Sequence, residues 1–283
     1  MKVIDIHQEI IDYGVKLINP LKQWNITKGE NIKIAILDTG IDMDHIDLRD
    51  NFKAGVNFTT QDREDFRDRK GHGTFCAGLI AAKANNIGVI GVAPEASLYA
   101  VKVLDDSSRG NLQWLCQGVQ WCINNDMDII NMSLGFHKDY PKLHDLLCQA
   151  YNKNIICIAA AGNNKYLLDA EYPAKYQEVI AISSFDKMKK IAAFSTGGKS
   201  IELSAPGVDL ISTFPGNKYA QGSGSSFSAP LVTGAIALII SQFKKEYNRR
   251  MTYLELREFL YKYAEDLGLP GKDTEYGYGF FHF

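Results

Sequence analysis

Three short stretches of this chain carry side chains of complementary chemistry. Asp38 stands in Asp38-Thr39-Gly40, His72 in Gly71-His72-Gly73-Thr74, and Ser226 in the small-residue run from Gly222 to Pro230. The chain order is carboxylate, imidazole, hydroxyl. A serine hydroxyl is a poor nucleophile until a neighbouring base takes its proton, and that base needs a third group to hold it in the right tautomer. The trio supplies all three parts, so the chemistry to expect is nucleophilic acyl transfer. His72 is the expected general base toward Ser226 and then the general acid toward the leaving amine.

Each stretch alone has a plainer reading. Asp-Thr-Gly marks many ordinary turns, and a single His is most often a satisfied surface or core residue. The glycines beside His72 count for more, because they let backbone and substrate approach closely. Ser225, Ser226 and Ser228 are helix-capping types, and a helix is expected over 227–243 with Pro230 in its first turn. That helix N-terminus favours negative charge near Ser226, as a developing oxyanion requires. The weight lies in the combination.

These side chains need a scaffold, and the hydrophobic pattern supplies one. Runs at 32–37, 98–103, 129–132, 155–159 and 179–182 read as buried parallel strands, and 73–83, 112–125 and 143–152 read as helices. Strands alternating with helices predict an α/β fold, a three-layer, doubly wound, mostly parallel sheet flanked by helices. In such sheets the chemistry gathers at the carboxyl ends of the strands, and Asp38 directly follows the first run. Residues 1–283 read as a single domain, with 1–30 as an N-terminal arm and helix.

Composition narrows the class. The 283 residues are 46% hydrophobic and 23% charged, which suits a folded domain with a sizeable core. Net charge is −2, from 31 basic and 33 acidic residues, with no basic stripe, so no nucleic-acid partner is expected. The N-terminus lacks a signal-peptide pattern, and the longest apolar stretch, 231–240, is too short to span a bilayer, so no membrane partner is expected. Five cysteines (Cys76, Cys116, Cys122, Cys148, Cys157), an odd number without CxxC spacing, read as buried free thiols. Free thiols without a signal peptide predict a cytoplasmic protein. No His/Cys cluster has zinc spacing.

With further stretches at Gly91–Leu104, Asn131–Gly135, Tyr172–Tyr176 and Ala205–Val208, the motifs make the chain resemble the subtilisin-like serine peptidases, the subtilases, along nearly its whole length. The order Asp…His…Ser is the one known from subtilisin. Within that family the chain looks most like the intracellular subtilisins of bacteria. The resemblance implies a serine endopeptidase with a polypeptide substrate, and it implies that the side chain of Asn163, in Ala159–Asn163, donates to the oxyanion together with the backbone N–H of Ser226. It also implies a substrate groove. Ser108-Arg109-Gly110 and Ser133-Leu134-Gly135 would flank an extended peptide added as a strand. Leu112 would line the pocket for the fourth residue before the cut. Ala160, Ala161, Gly162, and Ser133 to Phe136 would wall the pocket for the residue just before it. Two positions depart from the family pattern. Phe136 replaces the usual Gly, and Glu171 stands where the pocket floor normally carries Gly or Ser. A carboxylate there predicts a preference for Lys or Arg before the cut; a solvated loop Glu is the plainer alternative.

The segment 82–89 resembles the family's calcium loop. Calcium takes six to eight oxygen ligands, and the resemblance implies side chains from Asp47 and Asn85 and carbonyls from Lys83, Ile87 and Val89, with Gln8 or Glu9 as the N-terminal ligand. The plainer alternative is an Asn-Asn turn. The short inhibitory segment of intracellular subtilisins, with its Leu-Ile-Pro-Tyr-like run, is not found, so activity is expected to be controlled otherwise, or the segment lies outside these residues. That branch also implies a homodimer. Two functions from different classes remain in view: an active endopeptidase, general or dedicated to one precursor such as a leader peptide, and a catalytically silent relative that binds proteins. Retention of Asp38, His72, Asn163 and Ser226 together favours the first.

Overall fold

Strands buried on both faces read as continuous apolar runs, and here they pair side by side. The computed structural model describes all 283 residues, with β1 (Lys2–Ile4), α1 (Tyr13–Ile18), β2 (Lys33–Asp38), β3 (Phe52–Asn57), α2 (His72–Ala81), β4 (Ser97–Lys102), α3 (Leu112–Asn124), β5 (Ile129–Met132), α4 (Pro141–Asn152), β6 (Ile156–Ala160), β7 (Val179–Phe185), β8 (Ile201–Pro206), β9 (Leu210–Phe214), β10 (Lys218–Gly222), α5 (Ser225–Tyr247), α6 (Tyr253–Tyr263), β11 (Ala264–Glu265) and β12 (Phe280–Phe281). Seven strands form one parallel sheet in the order β3-β4-β2-β5-β6-β7-β8. From β2 the chain runs to the edge strand β3, comes back inward to β4 between them, then crosses to the other side of β2 with β5. The order therefore reverses around β2, and a crevice opens beyond the carboxyl ends of β4, β2 and β5.

Alternation along the strands builds two cores. Ile34, Ile36, Ile129, Ile156, Ile158, Ile180 and Ile182 face α2 and α5; Ala35, Leu37, Ile130, Met132, Cys157, Ala159 and Ala181 face α3 and α4. The helix α5 is apolar nearly all round, which is the pattern of a central helix. By length and composition it could cross a membrane, but most of it is buried against this sheet. Each Leu or Ile fully buried there contributes roughly 1.5–3 kcal/mol.

Every strand and helix read from the sequence is present, with ends shifted by a few residues. The helix expected over 227–243 is longer: it starts at Ser225, so Pro230 falls in its second turn rather than its first. The N-terminal arm holds α1, as expected, and also β1, which pairs antiparallel with β10, Lys2 opposite Gln221. Strands β3 and β8 were not read from the sequence. Their runs, Phe52–Asn57 and Ile201–Pro206, mix polar and small residues and lack the continuous apolar signal of the central strands. They are the two edges of the sheet.

Candidate active site

Asp38 is the last residue of β2 and is fully buried. His72 opens α2, with its side chain 22% exposed. The His72 Nδ1 lies 2.8 and 2.9 Å from the two Asp38 carboxylate oxygens. An ionised carboxylate only accepts, so Nδ1 carries the proton and Nε2 keeps its lone pair. Burial pushes the imidazole pKa down, but the charge and hydrogen bond of Asp38 outweigh it, Asp68 adds to them, and the net shift is upward.

Two glycines allow this approach. Gly71 caps α2 with φ of 98°, and a Cβ there would strike the Phe214 ring at 2.1 Å. A Cβ on Gly73 would come within 2.1 Å of the Gly40 carbonyl oxygen, so the helix can start against the turn after Asp38 only without one. Asp68, which the sequence did not single out, ties the two segments together. Its Oδ1 accepts from the Thr39 hydroxyl (2.9 Å) and from the N–H groups of Lys70 (2.9 Å) and Gly71 (2.8 Å). Its Oδ2 accepts from the Thr74 N–H and hydroxyl at 2.9 and 2.7 Å. Lys102, buried at the end of β4, donates to the Thr39 carbonyl and to Asp106.

Ser226 lies in the first turn of α5, half-buried. Its hydroxyl donates to the Ser133 carbonyl oxygen at 3.2 Å, and not to His72. The two are nonetheless neighbours. The ring of Phe227 packs 5.4 Å from the His72 ring, and the Cys76 thiol reaches both the Ser226 carbonyl oxygen (3.5 Å) and Asp38 Oδ2 (3.9 Å). The misplaced Pro230 has a local consequence. A proline has no N–H for the carbonyl four residues back, and that carbonyl belongs to Ser226. The Ser133 hydroxyl takes its place as donor, at 2.7 Å. Asn163, exposed in the loop after β6, accepts through Oδ1 from the Ser225 N–H (2.8 Å) and hydroxyl (3.1 Å). This orientation leaves the Nδ2 donors unused within the protein and free for a ligand.

A cavity of about 350 Å³ runs from His72 along the strand ends and is lined by Ser108, Gly110, Leu112, Ser133, Leu134, Gly135 and Phe136, all named from the sequence, and by Leu104 and Leu115, which were not. Gly110 pairs with Leu104 in an isolated antiparallel bridge. Phe136 exchanges backbone hydrogen bonds with Tyr172 (2.8 and 2.9 Å), and their rings stack at 5.9 Å. Ala161, Gly162 and Glu171, also named from the sequence, are not among the residues that line it; the Glu171 N–H donates to the Ala161 carbonyl at 2.9 Å. The Glu171 carboxylate packs between Gly135, which lines the cavity, and Gly162. A Cβ on Gly135 would meet its Oε2 at 2.2 Å, and one on Gly162 its Cδ at 3.0 Å.

The segment after α2 folds over Asp47, whose carboxylate is fully buried. Asp47 accepts from Asn85 Nδ2 at 3.0 Å and from the Val89 N–H at 3.1 Å. Glu9, rather than Gln8, reaches this loop and accepts from the N–H groups of Asn85 (2.8 Å) and Asn86 (2.6 Å). The carbonyls of Lys83, Ile87 and Val89 accept no hydrogen bond from the protein.

Residues 29–279 match the sequence model of the Subtilase family. The chain is 41% identical over 276 residues to the Intracellular serine protease of Paenibacillus polymyxa, covering 94% of this chain and 85% of that one. It is 39% identical over 264 residues to the Major intracellular serine protease of Bacillus subtilis (strain 168), covering 90% and 82%. It is also 38% identical over 284 residues to the Minor extracellular protease Epr of the same organism, covering 96% of this chain and 42% of that longer one.

Proposed function

We propose that this chain, which belongs to the subtilase family and is a serine endopeptidase, cuts peptide bonds through an acyl-enzyme formed on Ser226. Rotation of the Ser226 side chain away from the Ser133 carbonyl brings its hydroxyl to the free Nε2 of His72, which takes the proton as the oxygen attacks the scissile carbonyl. Asp38 holds the imidazole by Nδ1 and stabilises the imidazolium. The Asn163 Nδ2 and the Ser226 N–H, one of the unpaired donors of the first helical turn, meet the oxyanion. The imidazolium then protonates the leaving amine, and water repeats the sequence in reverse to release the acid. The observation that carries this reading is the buried Asp38–His72 pair beside the N-terminus of α5. A fluorophosphonate should label wild-type protein and not the Ser226→Ala variant. Unlabelled wild-type protein would instead support the silent, protein-binding alternative.

Glu171 sets the preference for the residue before the cut. Its carboxylate lies between Gly135 and Gly162, where it meets a Lys or Arg side chain through charge-assisted hydrogen bonds. Peptides that differ only in Arg or Phe at that position test this: Arg should be favoured, and Glu171→Gln should remove the difference. Equal cleavage after Phe in the wild type refutes it.

Calcium fits the loop over Asp47. The donor set is all oxygen, as a hard cation requires, and three of its carbonyls are otherwise unpartnered. Asp47, Asn85 and the carbonyls of Lys83, Ile87 and Val89 hold the ion in this reading, with Glu9 nearby. Bound there, calcium stabilises the native state and takes no part in the chemistry. A cytoplasmic site of action is supported by the two relatives named intracellular, while the relative named extracellular points the other way.

A further inference from the structure

We propose that His144, Cys148 and Glu178 form a binding site for Zn²⁺, separate from the catalytic groups. His144 and Cys148 stand four residues apart on α4 and so share one face of it. Glu178 comes to them from the turn that leads into β7. The His144 Nε2 lies 2.9 Å from Glu178 Oε2, and the nitrogen, sulfur and oxygen all lie within 4.8 Å of one another. Around a tetrahedral zinc, with bonds of about 2.0–2.3 Å, ligand atoms sit roughly 3.4–3.8 Å apart. Closing on an ion therefore needs side-chain adjustments of about an ångström.

The chemistry of the donors selects the metal. Imidazole, thiolate and carboxylate together suit zinc, whereas calcium takes oxygen alone. Two of the three ligands are braced by neighbours, His144 by stacking and Glu178 by a hydrogen bond. The His144 ring stacks on Tyr176 at 4.4 Å with an interplanar angle of 10°. The Tyr176 hydroxyl is itself fixed, donating to Asp139 at 2.7 Å and accepting from the Tyr140 N–H at 3.0 Å. Glu178 is buried, with its second oxygen accepting from Gln177 at 3.4 Å. His144 remains 40% exposed, so water can reach a fourth position. On binding, the Cys148 thiol gives its proton to solvent and the sulfur enters as thiolate.

Zinc here would clamp α4 to the start of β7. It would also pin the far end of the stretch from Glu171 to Glu178, whose near end packs against Gly135 of the cavity lining. The site does not depend on the catalytic assignment.

Metal titration of chelator-stripped protein tests the proposal, with Co²⁺ as the spectroscopic probe. The wild type should bind one Co²⁺ with tetrahedral visible bands and a thiolate-to-cobalt charge-transfer band, and one equivalent of Zn²⁺ should displace it, whereas excess Ca²⁺ should not. Cys148→Ser should lose the charge-transfer band, His144→Ala should weaken binding at least about tenfold, and Cys76→Ser should leave both unchanged. Zn²⁺ should raise the Tm of the wild type but not of Cys148→Ser. No charge-transfer band in the wild type, or one that survives Cys148→Ser, overturns the proposal. A band lost only in Cys76→Ser also overturns it, because the metal then sits at Asp38, His72 and Cys76, the other cluster of suitable donors.

Discussion

At the scale of residues, the site depends on a proton held in one place. The Nδ1 hydrogen of His72 is fixed by Asp38, and the net upward shift of the imidazole pKa follows. A general base works only when neutral. Activity should therefore fall as pH drops through the raised pKa, and the acid limb of kcat/KM should lie above the ordinary 6.5. Asp68 contributes to that shift through its charge. Asp68→Asn should move the limb to lower pH, beyond any loss of rate from weakened positioning; a limb that stays in place shows that Asp68 acts through structure alone. Asn163→Ala should lower kcat by about 10²–10³-fold with KM little changed, the magnitude being that of the corresponding donor in subtilisin, taken over as it stands. Most of these residues are legible from sequence because short motifs name them. Asp68, Ser133 as a donor to Ser226, and Lys102 are not, since a buried Asp, Ser or Lys between ordinary neighbours carries no local signal of what it will touch.

At the scale of elements, the close meeting of β2 and α2 decides whether the carboxylate and imidazole pair. Gly73 is the contact point. Gly73→Ala should force the helix start away from the Gly40 carbonyl. The expected cost is about 1–3 kcal/mol of stability in urea denaturation and about 10² in kcat/KM, the price of an ångström's misplacement. A variant with wild-type kinetics would mean that the helix start shifts freely. The central strands and the helices were legible from apolar runs and period, because elements buried on one or both faces must carry that pattern. Strands β3 and β8 were not: β3 is half-exposed at its edge and needs less apolar surface, and β8, though buried, mixes Glu202 and Ser204 into its run because partners far away in sequence, Arg257 and Gly279, satisfy them. The proline in the second turn of α5 departs from local helix rules, and the structure compensates by giving the orphaned Ser226 carbonyl to Ser133.

At the scale of the whole molecule, the loop over Asp47 joins the N-terminal arm, through Glu9, to the segment after α2. The calcium proposed there, at 100 times its Kd, would contribute about 2.7 kcal/mol to the native state, or roughly 5–10 °C in Tm for a chain of this size. Chelation should lower Tm by that order in scanning calorimetry, with kcat/KM at 25 °C unchanged, and Asp47→Asn should abolish the difference. A fall in kcat/KM on chelation at 25 °C would instead tie the loop to the chemistry. The amino-acid sequence by itself determined the layered α/β architecture and the family, and it singled out Ser226, His72 and Asp38 as the groups proposed here as nucleophile, base and carboxylate, because period and motif are local properties of the chain. Only the tertiary structure decided that the Ser226 hydroxyl turns to Ser133, that Asn163 is oriented by Ser225, that the Glu171 carboxylate packs between Gly135 and Gly162, and that Glu178 joins a His and a Cys on α4. Those relations connect residues up to 93 positions apart, and no spacing along the chain records which strand ends will be neighbours once the sheet has wound both ways from β2.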